Sequence, residues 1–236
     1  MVAVDGVTKV VEDYLTLIWK AREWPTDGRL PTTSDLAASL SVTPPSVTAN
    51  LKKLARQGLI EYEPYGEILL TEAGQEIAVQ VVRRHRIIET YLMRFLGLTW
   101  DQVHAEADEL EHAISPFVLE RMDAALGYPA VDPHGHPIPG RAEDERPPGS
   151  PLSTVEVGQL VVVVRVSDLN PGILRYLADA GITIGTELTI DEALDDTGLL
   201  TARVEGGRSF QCSAQIAGAV FTVPTAVPTT TEDRSS

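Results

Sequence analysis

TTSDLAASLSVTPPSVTANLKKLARQGLIEYEPYGEILLTEAG, residues 32–74, moves from helical to strand periodicity within one run. TTSDLAASL reads as a short helix capped by Thr32 or Thr33, and Ser41-Val42 as a tight turn. Thr43 caps a second helix that opens on Pro44, a residue tolerated in a first turn, and that stops at Gly58. Helix, short turn, helix is the helix-turn-helix layout. IEYEPYGEILL then alternates as strand, turn at Pro64-Tyr65-Gly66, and return strand. A two-stranded wing placed there makes a winged helix. The second helix begins with small hydroxylic residues and ends with Lys52, Lys53 and Arg56. Its front can therefore approach base edges while its back reaches phosphates. A plain helical hairpin in a core is the competing reading.

Upstream, residues 5–24 form an amphipathic helix in which Val7, Val10, Val11, Tyr14, Leu15, Leu17, Ile18 and Trp19 make a broad apolar stripe, ended by Pro25 and Gly28. Asp13 sits within that stripe, where a carboxylate is costly unless paired or metal-bound. A place at the helix edge is the plainer explanation. Downstream, Thr71 caps a long helix, and residues 82–115 read VRRHRIIETYLMRFLGLTWDQVHAEADELEHAIS. Gly97 splits them into two helices. His85 and Glu89 share a face of the first at i,i+4. The second takes Thr99 as N-cap with Gln102 as its capping-box partner, and places His104, Asp108, Glu111 and His112 within an arc of roughly 100°. Neutral imidazole with carboxylate suits divalent first-row metals. A solvated acidic face with incidental histidines is the alternative.

Residues 116–127 make a further helix ending at Gly127. YPAVDPHGHPIPG follows, and its His134 and His136 are read as parts of an ordered loop rather than as ligands. RAEDERPPGSPL, residues 141–152, is a linker. From Ser153, VEVGQLVVVVRV, a short helix NPGILRYLADA, GITIGTELTI, LLTARVE and AVFTV read as a small SH3-like β barrel. The last stretch, 225–236, is polar, Pro-rich and expected to be disordered. The fold class is thus mainly α with small β: a winged helix over 1–74, a helical domain over 75–140 that carries the candidate metal ligands (the metal-binding and dimerisation domain of the family resemblance given below), the linker, and an SH3-like domain over 153–224.

The chain carries 19 Lys and Arg against 34 Asp and Glu, a formal net charge of −15. That excludes a uniformly basic nucleic-acid binder, but Lys52, Lys53, Arg56, Arg83, Arg84 and Arg86 leave a basic region in the first half. Cys212 is the single cysteine, so no intrachain disulfide exists and a reducing cytoplasm fits. No apolar run reaches the ~20 residues of a membrane span, and the N-terminus does not read as a signal peptide.

VEDYLTLIW, TPPSVTANLKKLARQGLI, HAEADELEH, HGHPIPG and the barrel segment LRYLADAGITIG together resemble the diphtheria-toxin-repressor family of metal-dependent repressors, over about residues 5–224, and within it the manganese-responsive branch that keeps an SH3-like domain. The resemblance implies a homodimer that binds palindromic operator DNA when metal-loaded. It implies a primary site of Asp13, Asp108, Glu111 and His112, and a second site of His85, Glu89 and His104 with a ligand from the barrel, where Asp168 and Asn170 are the available donors. Iron-responsive members carry Met and Cys where this chain has Asp13 and Asp108. Hard oxygen ligands at those positions point to Mn2+, with Fe2+ or another divalent first-row metal as the alternative. Short manganese regulators place a Glu one turn after the first Asp. Thr16 stands there in this chain, so two separated sites are expected. The family pattern for DNA contact falls on Thr43, Pro45, Ser46 and Ala49, with Lys52 and Lys53 behind them. No membrane and no small organic substrate is implied. The competing functions are an iron(II)-dependent repressor, a metal-independent winged-helix protein with an organic ligand, and a dimetal enzyme, since imidazoles and carboxylates on adjacent helices also build those.

Overall fold

The structure, a computed structural model, describes residues 7–23, 30–63, 66–140, 149–194, 197–204 and 206–225. The expected helix stop at Pro25 and Gly28, the wing tip at Pro64-Tyr65, most of the linker and the tail beyond Thr225 lie outside the described residues. The chain packs as two compact units. Described residues up to 91, 105–130 and 138–140 form the first. Residues 92–104, 131–137 and those from 149 onward form the second.

In the first unit, α1 (Lys9–Glu23), α2 (Thr33–Ser39) and α3 (Pro44–Arg56) surround one apolar core. The caps explain the local choices. Thr32 closes a reciprocal capping box with Asp35, each side chain taking the other's backbone N–H. Thr43 stands at the N-cap of α3 without a side-chain bond to the helix, and Pro44 occupies the first turn. Val47, Leu51 and Leu54 recur at helical spacing and bury against Val11, Leu15 and Ile18 of α1. β1 (Ile60–Tyr62) and β2 (Ile68–Leu70) pair antiparallel, with Ile60 opposite Leu70 and Tyr62 opposite Ile68. This hairpin directly after α3 is the wing.

α4 (Glu72–Leu96) begins where the Thr71 hydroxyl accepts the Gly74 N–H at 3.2 Å, and it ends before Gly97, whose φ of 72° suits glycine. α5 (Val103–Leu110) is shorter than the periodicity predicts. It starts after Gln102, and the Thr99 hydroxyl turns to Asp101 (2.8 Å). Only the Gln102 half of the expected capping box forms, accepting the Thr99 N–H at 3.0 Å. It ends at Leu110, so Glu111 and His112 sit in the turn that follows. α6 (Pro116–Leu126) is capped by Ser115 and closed by Gly127 in the left-handed region. Ile87, Leu126 and Ile138 pack together beneath it.

In the second unit, β3 (Ser150–Pro151), β4 (Leu160–Val166), β5 (Glu187–Glu192), β6 (Leu199–Val204), β7 (Arg208–Ser213) and β8 (Val220–Pro224) form an antiparallel sheet in the order β3-β8-β4-β5-β6-β7. α7 (Pro171–Asp179) and the short α8 (Ala214–Ala219) complete it. Ser150 and Pro151 pair with Thr222 and Phe221, so the barrel starts three residues before the expected Ser153. The sequence reading passed over β7 and α8. Packing also cuts the chain differently from the expected limit at residue 140. Trp100 lies in the barrel's apolar core. Its indole N–H donates to the Pro133 carbonyl at 3.0 Å, and its ring stacks on His134. The Val166 N–H donates to the His134 carbonyl at 2.9 Å. Gly135 is required there: its φ is 85°, and a Cβ would fall 2.1 Å from the Val164 carbonyl.

Candidate functional site

α1 and the turn after α5 supply the first set of donors. Asp13, Glu111 and His112 bring ligand atoms within 4.8 Å of one another. The His112 Nε2 lies 3.2 Å from Asp13 Oδ1 and 3.2 Å from Glu111 Oε1. Periodicity placed Glu111 and His112 on one face of a continuing helix. They are instead carried by the turn, with the Glu111 N–H still bonded to the Ala107 carbonyl at 2.9 Å. Asp13 is partly buried on the rim of α1, and that burial, with Glu111 and Asp108 nearby, holds its carboxyl above the ordinary range against the pull of His112 and Lys9.

α4 supplies the neighbouring set. His85 is buried, with Nδ1 2.7 Å from Glu111 Oε2 and 3.3 Å from Asp108 Oδ1, and Nε2 2.9 Å from Glu89 Oε1. Burial opposes a charge on this ring. The Glu89 carboxylate and the hydrogen bonds to Glu111 and Glu89 outweigh it and raise the imidazole pKa to about 10. Asp108 therefore reaches His85 as well as standing near Asp13. Glu111 faces His112 with one oxygen and His85 with the other, so the groups around Asp13 and Asp108 share a carboxylate.

In the second unit His104 and Asp168 face each other, Nδ1 to Oδ2, at 3.5 Å. Asn170, the other barrel donor considered, caps α7, its side-chain oxygen accepting the Gly172 N–H at 2.9 Å. The 131–137 loop is ordered and buried. Asp132 Oδ1 accepts the N–H groups of His134 (2.8 Å) and His136 (2.9 Å), and Oδ2 meets His136 Nδ1 at 3.1 Å. Asp132, His134 and His136 also lie close enough for a common ion, but the Asp132 carboxylate already shapes the loop.

The donor sets fit a divalent metal by their chemistry. They offer carboxylate oxygen and imidazole nitrogen only, and Cys212 is buried in the barrel core with its thiol pushed up to about 11 by burial. Glu12 escaped the sequence reading. It is buried between Arg84 and His112, both 2.6 Å from its oxygens.

α3 carries the residues expected to meet nucleic acid. Thr43, Pro45, Ser46, Ala49, Lys52, Lys53 and Arg56 are all exposed. An open depression beside them is lined by Ala49, Lys52, Ala55, Arg56 and the wing residue Tyr62. The opposite side of α3 meets α1: the Asn50 amide donates to the Tyr14 hydroxyl at 3.3 Å.

Residues 7–68 match the model of the iron dependent repressor N-terminal DNA binding domain. Residues 71–140 match the iron dependent repressor metal binding and dimerisation domain, and 150–224 the FeoA domain. The iron-dependent repressor IdeR of Mycobacterium tuberculosis is 32% identical over 197 residues, covering 76% of this chain and 83% of that protein. The chain belongs to the diphtheria-toxin-repressor family. The diphtheria toxin repressor of Corynebacterium efficiens is 30% identical over 190 residues, covering 76% and 81%. Among solved structures, a manganese-dependent transcriptional repressor in complex with manganese is similar at 36% identity and a TM-score of 0.84, covering 91% of this chain and all of that one. The manganese regulator SloR follows at 32% and 0.74, covering 91% and 98%.

Membership in the diphtheria-toxin-repressor family makes this chain a metal-dependent transcriptional repressor with DNA-binding, dimerisation and SH3-like domains. Its relatives are repressors, which sets aside the enzyme reading of the same imidazoles and carboxylates. Both iron and manganese occur in the relatives' names. No helix among the described residues is long and apolar enough to cross a membrane.

Proposed function

We propose that this repressor responds to manganese, and that a homodimer grips a palindromic operator once Asp13, Asp108, Glu111 and His112 close on Mn2+. The observation that carries the reading is the chemistry of the donor groups around Glu111: Asp13, Asp108 and Glu111 offer carboxylate oxygen and His85 and His112 imidazole nitrogen. Mn2+ binds most weakly in the first-row series and gains from hard donors, whereas a thioether or thiolate would favour softer ions.

When bound, a divalent ion supplies the positive charge that these carboxylates otherwise lack. The protein does the rest. Asp13, Asp108 and Glu111 repel one another while uncompensated, which loosens the hold of α1 on the turn after α5. Once they converge, α1 is fixed at that end. α1 and α3 share one core, and Tyr14 bonds Asn50, so the position of α1 sets the position of α3. Fixing α3 in each protomer fixes the spacing of the two reading helices, which must match half-sites about one DNA turn apart. Metal and operator then assist each other reciprocally. The exposed Leu110, Phe117 and Val118 around α5 and α6 give an apolar surface suited to the dimer.

Iron(II) is the second reading, favoured by the iron-dependent relatives. Operator binding titrated anaerobically against each metal, with a chelator control, separates the two. The manganese reading expects Mn2+ to activate at concentrations where Fe2+ does not, and a preference for Fe2+ would overturn it.

Few long side chains on α3 point outward at its start, so base contact rests on Ser46, Thr43 and the apolar faces of Pro45 and Ala49, with DNA shape adding selectivity. Lys52, Lys53 and Arg56 serve phosphates. Operator affinity is expected to fall steeply with salt. Lys52→Ala should weaken all sequences alike and reduce the slope of log affinity on log salt by about 1. An unchanged slope would remove Lys52 from the interface.

A further inference from the structure

Glu12 is one residue from a proposed ligand, yet its carboxylate does not join the donor cluster. It is 8% exposed, and its two oxygens are spent separately. Oε1 accepts from Arg84 Nη2 at 2.6 Å and Oε2 meets His112 Nδ1 at 2.6 Å. A carboxylate only accepts, and the Nδ1 contact at 2.6 Å is shorter than the 3.2 Å contacts of Nε2, so the hydrogen of the neutral ring sits on Nδ1. The opposite nitrogen, Nε2, is the one directed at Asp13 and Glu111. We propose that Glu12 is a positioning residue, which by holding the N–H of His112 on Nδ1 keeps the Nε2 lone pair aimed at the donor cluster, with Arg84 anchoring Glu12 from behind.

Three separate segments make this arrangement: α1 gives Glu12, α4 gives Arg84, and the turn after α5 gives His112. The assignment rests on the reading of Asp13, Glu111 and His112 as metal ligands. Imidazoles that bind metals commonly donate their other N–H to a carboxylate, which fixes the tautomer and ring plane and raises ligand basicity. The alternative role for Glu12 is structural only: a buried partner for Arg84 with no effect on the His112 ring. The charge-assisted bond to Arg84 holds the carboxylate stationary, so the ring is oriented before any ligand arrives.

Nitrogen-15 NMR of the full-length, metal-free protein with labelled histidine, recorded at alkaline pH, reads the tautomer directly. The chain has five histidines, so His112 is assigned by its loss in a His112→Gln spectrum. Wild type is expected to show a protonated Nδ1 and a bare Nε2. Glu12→Gln keeps an acceptor oxygen and is expected to keep that tautomer with a weakened Nδ1–H bond, seen as an upfield shift of its proton. Glu12→Leu is expected to move the hydrogen largely to Nε2. Cd2+ affinity, measured by competition with a chelating dye, should then fall about 10- to 100-fold for Glu12→Leu and less for Glu12→Gln. A wild-type ring protonated on Nε2, or a His112 spectrum unchanged in both variants, overturns the proposal. If Glu12→Leu does not fold, the proton shift and affinity of Glu12→Gln decide alone, and no change in either overturns it. Absence of Cd2+ binding by wild type would instead count against the metal site, while the tautomer still judges Glu12.

Discussion

Replacing Asp13 with Ala is expected to leave a folded dimer whose operator affinity no longer responds to added Mn2+. The loss should equal the whole metal effect, about 5- to 150-fold for a typical coupling between two sites. The fold should survive because Asp13 lies on the partly exposed rim of α1, while Val11, Tyr14, Leu15 and Ile18 anchor that helix in the core. Removing a partly buried carboxylate, held above its ordinary pKa by burial and by Glu111 and Asp108, also relieves repulsion in the metal-free protein. The variant should therefore be no less stable than wild type without metal, yet gain no stability when Mn2+ is added. Fluorescence anisotropy on labelled operator, with and without chelator, reads the first effect, and thermal unfolding reads the second. Metal-dependent binding equal to wild type would disconnect α1 from the switch.

Metal uptake is expected to release about one proton from His85 at neutral pH. The ring stands between Glu89 and Glu111 with both nitrogens in hydrogen-bonding range of carboxylates, an arrangement that favours imidazolium and raises its pKa to about 10. A ligating nitrogen must lose its proton, so affinity should rise with pH until about 10 and level off above it. The stability of the metal-free protein follows the opposite course. Because the folded pKa lies above the unfolded one, the contribution of His85 is complete below about 6.5 and is lost as pH climbs through 10. Calorimetry of Mn2+ binding in buffers of different ionisation enthalpy counts the protons, and His85→Gln should abolish that release. Buffer-independent heats in wild type would show that His85 either stays protonated or takes no part.

How much of this was legible without coordinates depends on how local the cause is. Thr32, Thr43, Pro44 and Gly97 act within a turn of themselves, and the helix limits they announce appear where expected. Asp13, Glu111 and His112 could be named from family pattern and chemistry, but their approach depends on the early end of α5, which periodicity does not encode. Glu12 was invisible because its partner His112 is 100 residues away and its own position reads as an ordinary helix charge. Trp100 and Asp132 were missed for the same reason: one fills a core distant in sequence, and the other spends its carboxylate on the backbone of His134 and His136. β7 escaped notice because RSFQCS is an edge strand with mostly polar residues, leaving only Phe210 and Cys212 to mark its buried side.

Anomalous scattering at the manganese edge, from crystals of the full chain grown with Mn2+ and operator duplex, tests the central claim most directly. A peak enclosed by the side chains of Asp13, Asp108, Glu111 and His112, with α3 of each protomer in a major groove, is the predicted result. Operator-bound protein with those four groups apart and no peak among them would contradict it.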